Sequence, residues 1–376
     1  MKFFVTCARG TEGALRREMV VLRIHAPRGA TGGVSFEGTM EDAMKVCLWS
    51  RVAMRVLLEV GTFPAADAGS LYEGTRTSEL DRFFSAKTTF AVTATTHENA
   101  ELHHSGFAAL KVKDAVADAL RDRMGGRRPN VDVKNPDVSL VLHLRGQDAR
   151  LFVDLAGEPL HRRGYRVAMG DAPLKESLAA AVLALGGVRS DQPFIDPMTG
   201  TGTLAIEHAL ASRNIAPGLN RAFGFERWAD QSHLPIFAHL KKSAQASSLA
   251  RVPCPILARD CSPAAIESAR RNARAAGVTD DIRFEVAPIA TLVAGNPPGA
   301  VCMNPPYGER LPGPAPEQPL EKLYDEIARV LDRMAGWTAV ILCGNPLLAR
   351  TIQRKHQISH RLWNGPLEAR LLVYQF

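Results

Sequence analysis

Four consecutive residues, Asn304, Pro305, Pro306 and Tyr307, are the part of this sequence best suited to carry out a reaction. They follow the short apolar run 299–303, which predicts that they lie at the exposed end of a buried strand. The asparagine offers a carbonyl acceptor, the prolyl peptide offers a second acceptor whose direction the ring restricts, and the tyrosine offers a stacking surface. This set can hold a planar sp² nitrogen in line with an electrophile. Two prolines also end a strand or a helix, so the four residues alone are equally compatible with a simple turn.

A glycine-containing loop is the second candidate site. It leads from a predicted strand into a predicted helix, and its candidate residues are Asp196, Met198, Gly200, Thr201, Gly202 and Thr203. The glycines allow a ligand to approach the backbone, and the N-terminus of the following helix favours a carboxylate or a phosphate. A nucleoside with a charged tail would suit this loop.

The context of this loop distinguishes it from two other nucleotide-binding motifs. Its spacing satisfies the loose dinucleotide fingerprint, but the next predicted strand ends only at Asp260, much further along the chain than that motif requires. A P-loop is excluded because no Gly-Lys-Ser/Thr follows the glycines.

An acidic residue marks the end of that next strand. Asp260, followed by Cys261, precedes a helix that Ser262 should cap, with Pro263 at the first helical position. A carboxylate at this point can accept hydrogen bonds from ribose hydroxyls. A single loop aspartate would carry little weight, but Asp260 is the second of three strand-end candidates in chain order. Together they indicate one ligand site along one edge of a sheet.

The region from about residue 191 to 376 must position these candidates, and it alternates strands with helices. Predicted strands occupy residues 193–197, 256–259, 282–286, 300–303, 337–343, 358–363 and 370–376. Predicted helices occupy residues 203–213, 263–276 and 320–334. This alternation predicts an α/β fold with parallel strands and ligands at their carboxyl ends. A short Asn-Gly-Pro connection predicts that the last two strands form a hairpin, which gives the sheet an antiparallel edge.

The first 190 residues divide into three predicted parts. Residues 1–62 have the element order of an α+β ferredoxin-like unit, and breakers at 63–69 mark a boundary. Residues 63–160 contain a long predicted helix, 106–124, whose expected buried side is Phe107, Leu110, Val116 and Leu120. Residues 161–190 form an arginine-rich linker and an alanine-rich helix, and the last domain covers 191–376.

The chain is basic, with a formal net charge of +7 and a pI of about 9.2. This charge favours a polyanionic partner, although a charged helix face is more often only a solvated surface. The candidate phosphate-binding residues are Lys111, Lys113, Arg127, Arg128, Arg162, Arg163 and Arg166, with Arg350, Arg354, Lys355 and Arg361 nearer the end of the chain.

Cysteine usage and hydropathy bear on the cellular compartment. The six cysteines form no C-x-x-C pair, which predicts reduced thiols in a cytoplasmic protein without a metal site. The apolar runs are too short for a secretory signal or a membrane span.

Four motifs together resemble the THUMP-domain RNA guanine-N2 methyltransferases, which are class I methyltransferases. The motifs occupy residues 163–166, 173–180, 196–203 and 304–311. The resemblance extends over nearly the whole chain. It implies ferredoxin-like and THUMP regions followed by a Rossmann-like methyltransferase domain with a seven-stranded, mostly parallel sheet. Within the family the chain resembles most the bacterial 23S rRNA enzyme, and we expect it to lack the second methyltransferase domain that is fused to that enzyme in some bacteria.

The resemblance also implies a cofactor, a substrate and residue roles. The cofactor would be S-adenosyl-L-methionine, bound by the glycine loop, Asp260, Cys261 and Asn304, and the partner would be RNA, with rRNA favoured over tRNA. Asn304 and Pro305 would accept the two N–H groups of guanine N2 while Tyr307 stacks on a flipped base. The flanking residues 308–311 favour guanine, and a monomer is expected. Ser262 and Pro288 depart from the family pattern, which usually has acids there.

Other functions remain compatible with the motifs. Adenine-N6 and glutamine-amide methyltransferases share Asn-Pro-Pro-Tyr because both targets are planar amines, but neither accounts for the THUMP-like half. A tRNA guanine-N2 methyltransferase and a weakly catalytic RNA-binding protein that retains the fold are the remaining alternatives.

Overall fold

The computed structural model describes residues 1–85, 87–168, 174–307 and 320–376. Two sheets, one of eight strands and one of seven, organise this part of the chain. Pro173 and the motif residues 308–311 lie outside the described residues. No helix within the described ranges is long and apolar enough to cross a membrane.

The N-terminal half of the chain builds the eight-stranded sheet. Its elements are β1 (Lys2–Thr6), α1 (Glu12–Val21), β2 (Arg28–Ala30), β3 (Gly33–Glu37), α2 (Met40–Trp49), β4 (Arg55–Pro64), α3 (Ala68–Arg76), β5 (Thr89–His97), α4 (Ser105–Arg123), β6 (Asn130–Val131), β7 (Val138–Arg145) and β8 (Asp148–Asp154). The strand order is β2-β3-β1-β4-β8-β7-β5-β6.

Strand β4 joins the two predicted N-terminal regions into one sheet. It pairs antiparallel with β1 on one side and with β8 on the other. Its pairing with β8 continues to Pro64, inside the breaker segment 63–69. The sheet is therefore continuous across the predicted boundary, and the division at residue 63 stays a prediction about domains.

Helix α4 buries a different face from the predicted one. Phe107 and Leu110 are 42% and 48% exposed, so the prediction that they are buried is wrong. Val116 and Leu120 are buried as expected, together with the smaller Ala108 and Val112. Small residues at helical spacing allow α4 to pack closely on its neighbours, and this close packing outweighs the larger apolar area of the two exposed side chains.

The C-terminal half builds the seven-stranded sheet. Its elements are α5 (Glu176–Leu185), β9 (Phe194–Asp196), α6 (Thr203–Ser212), α7 (Leu234–Ala246), β10 (Ile256–Asp260), α8 (Pro263–Ala275), β11 (Ile282–Val286), β12 (Ala300–Met303), α9 (Leu320–Leu331), β13 (Thr338–Cys343), α10 (Pro346–Thr351), β14 (Ile358–Asn364) and β15 (Leu367–Gln375). The strand order is β11-β10-β9-β12-β13-β15-β14. Successive strands from β9 to β11 extend the sheet to one side and those from β12 extend it to the other, so β9 and β12 flank the switch point. The predicted α/β class with a seven-stranded, mostly parallel sheet is confirmed.

The last two strands form the predicted hairpin, but with a different placement. β15 pairs antiparallel with both β13 and β14, so it is inserted between them. The antiparallel strand is therefore the second from the edge, whereas the edge strand β14 has the same direction as the parallel strands. Insertion buries most of β15, including Leu371 and Val373, and leaves the more polar β14 at the rim.

Helix α7 was not among the helices predicted from the sequence, where only the stretch from Asn214 to Phe225 was interpreted, as irregular. The helix has Pro235 in its first turn, and it buries Phe237 and Ala244, which are seven residues apart. That spacing is two helical turns, but only one narrow stripe is apolar and the signal is correspondingly weak.

The two halves of the molecule share a buried polar contact. Arg51 donates to the Ile215 carbonyl at 2.7 Å, and Arg163 lies 3.6 Å from Glu207 on α6. Arg163 also donates to the Arg51 carbonyl. A continuous apolar core surrounds these groups, which fixes the N-terminal half against the seven-stranded sheet.

Candidate active site

The three predicted strand-end candidates lie side by side in the structure. β9 pairs in parallel with β10 and also with β12. Asp196 and Asp260 are the last residues of β9 and β10, and Asn304 follows β12, so the three lie at the carboxyl ends of adjacent strands. This edge of the sheet is the switch point, where ligands of open parallel sheets bind. The order of motifs along the chain therefore corresponds to a single site.

The glycine loop wraps tightly between β9 and α6. Gly200 and Gly202 have φ angles of 53° and 88°, which L-residues other than glycine rarely adopt. A Cβ on Gly202 would lie 3.0 Å from the Cβ of Ala269 on α8, so the loop also requires a residue without a side chain there. The Gly202 amide donates to the Thr199 carbonyl at 2.8 Å. These contacts hold the backbone where a ligand can approach it.

Asp260 supports that loop directly. One carboxylate oxygen accepts a hydrogen bond from the Gly200 amide at 2.9 Å, and the other accepts one from the Ser262 amide at 2.9 Å. Each oxygen has a further lone pair, so a ribose hydroxyl can still donate to it. The Ser262 hydroxyl accepts a hydrogen bond from the Ala265 amide at 3.3 Å and so caps α8. Ser262, which departs from the family pattern, therefore has a structural role.

Asp196 is a buried carboxylate with an unused acceptor. Its Oδ2 accepts a hydrogen bond from the Thr199 hydroxyl at 2.8 Å, whereas Oδ1 has no partner among the described residues. Burial raises the pKa of this carboxyl from 3.8 to about 7, although the Thr199 bond and the nearby backbone amides of Met198 and Ala205 oppose the rise. A buried acceptor that lacks a donor is costly, so this oxygen fits a ligand that supplies one.

Asn304 presents the second unused acceptor. Its Oδ1 is buried and has no hydrogen-bond partner within the described ranges. The residue follows β12, which pairs with β9, so this oxygen and Asp196 Oδ1 lie at the ends of neighbouring strands. Two unsatisfied buried acceptors beside a glycine cradle fit a ligand or substrate that carries amine or hydroxyl donors.

The rest of the Asn-Pro-Pro-Tyr motif is held by side chains from distant elements. The Tyr324 hydroxyl donates to the Pro306 carbonyl at 2.9 Å, and the Asn364 amide donates to the Tyr307 hydroxyl at 3.2 Å. The Tyr307 ring lies so close to Gly344 that any Cβ there would overlap it. The tyrosine is thus fixed on one side, and Pro305 is buried.

The remaining predicted cofactor residues lie around the same loop. Met198 and Thr201 are half-buried, Thr203 is the first residue of α6, and Cys261 is exposed after β10. Pro288 is exposed after β11 and accepts a hydrogen bond from the Thr291 hydroxyl at 2.9 Å.

Two of the predicted RNA-binding arginines have structural partners instead. Arg163 is 6% exposed and is held by Glu207 and by the Leu160 and Arg51 carbonyls, so a surface phosphate cannot reach it and that prediction is wrong. Arg166 pairs with Glu176 at 2.8 Å and donates to the Thr203 hydroxyl at 3.2 Å. Arg166 therefore ties the linker to the glycine loop.

Asn272 completes this connection, although the sequence did not single it out. Its carbonyl oxygen accepts from the Val167 and Ala168 amides at 3.0 and 2.8 Å, and its amide donates to the Thr201 carbonyl at 3.0 Å. One buried side chain on α8 thus joins the linker and the candidate cofactor loop. The sequence analysis also missed Asn364, Gly344 and Tyr324. Like Asn272, they lie on separate elements, where a polar or small residue shows no local pattern that indicates a functional role.

The predicted basic face of α4 is largely neutralised by acids. Lys113 lies 2.8 Å from Asp114, and the Arg121 guanidinium lies 3.4 Å from Asp118. Lys111 lies over the Phe107 ring, Arg162 pairs with Glu158 at 3.3 Å, and Arg127 and Arg128 are exposed. Near the end of the chain, Arg361 pairs with Glu368 at 3.7 Å, whereas Arg350 and Lys355 are exposed.

Nowhere in the described ranges do three or more His, Cys, Asp or Glu side chains cluster as metal ligands.

Family models match three consecutive parts of this chain. The model described as the RMKL-like methyltransferase domain matches residues 163–371, which is more than half of the chain. The chain belongs to this methyltransferase family. Its N-terminal half matches the RlmL ferredoxin-like domain over residues 2–57 and the THUMP domain over residues 65–154. The predicted resemblance to THUMP-domain methyltransferases is thereby confirmed.

Relatives of this chain are found among curated proteins and solved structures. Ribosomal RNA large subunit methyltransferase K/L from Syntrophotalea carbinolica is 40% identical over all of this chain, and that from Pseudomonas aeruginosa is 38% identical. This chain covers 53% and 52% of those two proteins, so it spans about half of their length.

Two solved structures have the same architecture along almost their full length. SMU.472, described as a methyltransferase and solved as a complex with SAH, is 28% identical with a TM-score of 0.90, over 100% of this chain and 97% of its own. A predicted N6-adenine-specific DNA methylase from Listeria monocytogenes is 30% identical with a TM-score of 0.88, over 99% and 95% of the two chains.

Proposed function

We propose that this methyltransferase transfers a methyl group from S-adenosyl-L-methionine to the exocyclic N2 of a guanine in 23S rRNA. The observation that carries the proposal is the buried Asn304 Oδ1 at the end of β12, which like Asp196 Oδ1 at the end of the adjacent strand β9 has no hydrogen-bond partner among the described residues. Asn304 Oδ1 suits the amine to be methylated, and Asp196 Oδ1 suits a donor on the cofactor.

The cofactor is consistent with the family and with the SAH bound to the similar methyltransferase SMU.472. When bound, S-adenosylmethionine supplies an electrophilic methyl group on a sulfonium that is its own leaving group. Asp260 would accept from the ribose hydroxyls, and the backbone of Gly200 and Gly202 would leave room for the rest of the molecule.

The protein's main task is then to orient the target nitrogen. Guanine N2 is conjugated with its ring and weakly nucleophilic, so its lone pair must be directed at the methyl group. Asn304 Oδ1 and the Pro305 carbonyl would each accept one of its N–H groups, which fixes that direction. Stacking on Tyr307 adds roughly 1–3 kcal/mol per base. The bonds from Tyr324 and Asn364 hold the motif rigid while this occurs.

Proton removal requires no strong base in this scheme. Methylation makes the nitrogen a cation, whose proton is acidic enough to pass to water or to a hydrogen-bonded carbonyl. Pro305 and the Asn304 Oδ1 atom are buried, which would limit the access of water to the reacting atoms, so that orientation and desolvation provide most of the rate enhancement.

The substrate class follows from the N-terminal half and from the relatives. The ferredoxin-like and THUMP matches occur together with the methyltransferase match, and the curated relatives are named large-subunit rRNA methyltransferases. An rRNA substrate would place the reaction in the cytoplasm, and a monomer stays a prediction. A tRNA substrate is the alternative within the same chemistry.

Nucleoside analysis separates these possibilities. The purified protein, unmodified 23S rRNA or tRNA transcripts and S-adenosylmethionine would be incubated, and the RNA would then be digested and analysed by mass spectrometry. We expect N2-methylguanosine in the 23S transcript and none with Asn304→Ala. Formation of N6-methyladenosine would refute the proposed target atom, and product only in tRNA would refute the proposed substrate.

Calorimetry with S-adenosylmethionine tests the remaining alternative. We expect binding despite Ser262 and Pro288, because Asp260 and the glycine loop keep their geometry. No binding at millimolar cofactor would instead favour an RNA-binding protein that retains only the fold.

A further inference from the structure

An open groove of about 880 Å³ lies on the N-terminal half, between the start of α1 and strand β2. Arg9, Arg16 and Arg28 line it, and all three are exposed. None of them forms an ion pair with any residue that the structure describes. We call this surface the arginine groove.

The arginine groove differs in charge from the basic face predicted on α4. On α4, acids such as Asp114 and Asp118 neutralise the basic side chains. Among the described residues that line the arginine groove, the only acid is Glu12, whose carboxylate accepts a hydrogen bond from the Gly32 amide at 3.1 Å. Three unpaired guanidiniums around one concave surface attract a polyanion more strongly than paired charges do.

The floor of the arginine groove leaves space for such a ligand. Gly13 and Gly29 belong to its lining, and a Cβ on either would meet no atom within 4 Å. Absent side chains allow a chain of phosphates to lie close to the protein backbone.

One end of the arginine groove contacts β14, the strand whose last residue, Asn364, is hydrogen-bonded to Tyr307. The Arg9 guanidinium lies 4.2 Å from the centre of the Trp363 ring on β14. Gly10 approaches the Arg361 carbonyl so closely that any side chain at position 10 would overlap it. The next residue after Trp363 is Asn364, which donates to the Tyr307 hydroxyl at 3.2 Å. The arginine groove is therefore connected to the Asn-Pro-Pro-Tyr motif through two neighbouring residues of β14, since Trp363 contacts Arg9 and Asn364 contacts Tyr307.

We propose that the arginine groove binds the phosphate backbone of the RNA segment that flanks the methylated nucleotide. Arg9 contacts β14 one residue before Asn364, which bonds Tyr307, so the arginine groove lies near the end of the strand that supports the motif. The phosphate contacts offset the free-energy cost of flipping the base. This inference rests on the proposed function, since it takes RNA as the substrate of the same site.

A pair of double variants tests the arginine groove. Arg16→Ala with Arg28→Ala removes two charges from the groove, whereas Arg17→Ala with Arg23→Ala removes two exposed charges from the same half that do not line it. Binding of an unmodified 23S rRNA transcript would be measured without cofactor over a range of salt concentrations. We expect the groove variant to bind roughly ten-fold more weakly at 0.1 M salt, with a salt slope shallower by about 1.5, as two lost phosphate contacts predict. Equal losses in the two double variants would overturn the proposal, because they would show a general charge effect.

A third variant separates the groove from any loss of folding. Gly13→Glu introduces an acid into the groove at the first turn of α1, where it meets no neighbour and where an acid favours the helix. We expect a Tm that is equal to or higher than that of the original protein, unchanged S-adenosylmethionine binding and weaker RNA binding. Unchanged RNA binding would contradict the proposal. Both binding measurements are independent of methyl transfer. If only the proposed reaction is wrong, no N2-methylguanosine will form, but RNA binding will still depend on the groove.

Discussion

Replacement of Asp196 by asparagine should remove a pH-dependent instability from the cofactor-free protein. Asp196 is 1% exposed, and its Oδ1 has no partner among the described residues. Burial raises its pKa from 3.8 to about 7, so between these pH values the folded protein holds a proton that the unfolded chain has released. The free energy of unfolding must then decrease as the pH rises through this interval.

The size of the effect follows from the pKa difference. Each pH unit within the interval lowers the free energy of unfolding by about 1.4 kcal/mol, so the interval as a whole corresponds to on the order of 4 kcal/mol. The stability that depends on this proton is fully present below about pH 4 and is lost as the pH passes 7. Asparagine keeps an acceptor for the Thr199 hydroxyl and does not ionise.

Urea unfolding of both proteins at pH 5 and pH 8 provides the measurement. Other buried groups also titrate, since burial raises the pKa of Asp154 to about 6 and lowers that of His208 to about 4. These groups are common to both proteins and cancel in the difference. Between pH 5 and pH 8 the stability of Asp196→Asn relative to the original protein should rise by about 3 kcal/mol. Equal pH dependence in the two proteins would show that Asp196 is ionised in the folded state and would refute the reasoning.

Three further substitutions test the contacts that hold the site. Asn364→Ala should lower kcat about ten-fold while leaving the Kd for S-adenosylmethionine unchanged, because it frees the Tyr307 ring without touching the glycine loop; a parallel loss of cofactor binding in calorimetry would contradict this. Asn272→Ala should cost about 2–4 kcal/mol in urea unfolding and weaken cofactor binding, because it leaves two backbone amides of the linker without an acceptor; unaltered cofactor affinity would show that the linker does not support the loop. Gly344→Ala should displace Tyr307 and reduce methyl transfer with little change in cofactor affinity, since its Cβ would overlap the ring; full activity would mean that the ring has room to move.

Most elements of the seven-stranded sheet were predictable because their signals are local. The strand that ends at Asp260 and the helix that Ser262 caps both appear where short-range patterns place them. Helix α7 was missed because its buried stripe is narrow, and the position of β15 depends on burial across the whole sheet. Periodicity reports which residues prefer to be buried, and it does not report which strand becomes a neighbour.

The basic residues show more clearly that a sequence pattern does not identify the spatial neighbours of a residue. Composition predicted a polyanion-binding surface, but it could not distinguish Arg163, which pairs with Glu207 inside the protein, from Arg16, which lines the arginine groove. Both are arginines in arginine-rich segments of the sequence. Only the positions of their partners decide whether a charge is neutralised or available.

The order of the three strand-end motifs, and with it the class of site, could be predicted from the sequence. Asp196, Asp260 and Asn304 lie at strand ends, and parallel strands present their carboxyl ends to the same edge. The tertiary structure alone decided what holds the site, because Asn272 binds linker residues 104 and 105 positions away and Asn364 binds Tyr307 from 57 positions away. Such contacts depend on how separate elements pack, and no local preference of the chain encodes them.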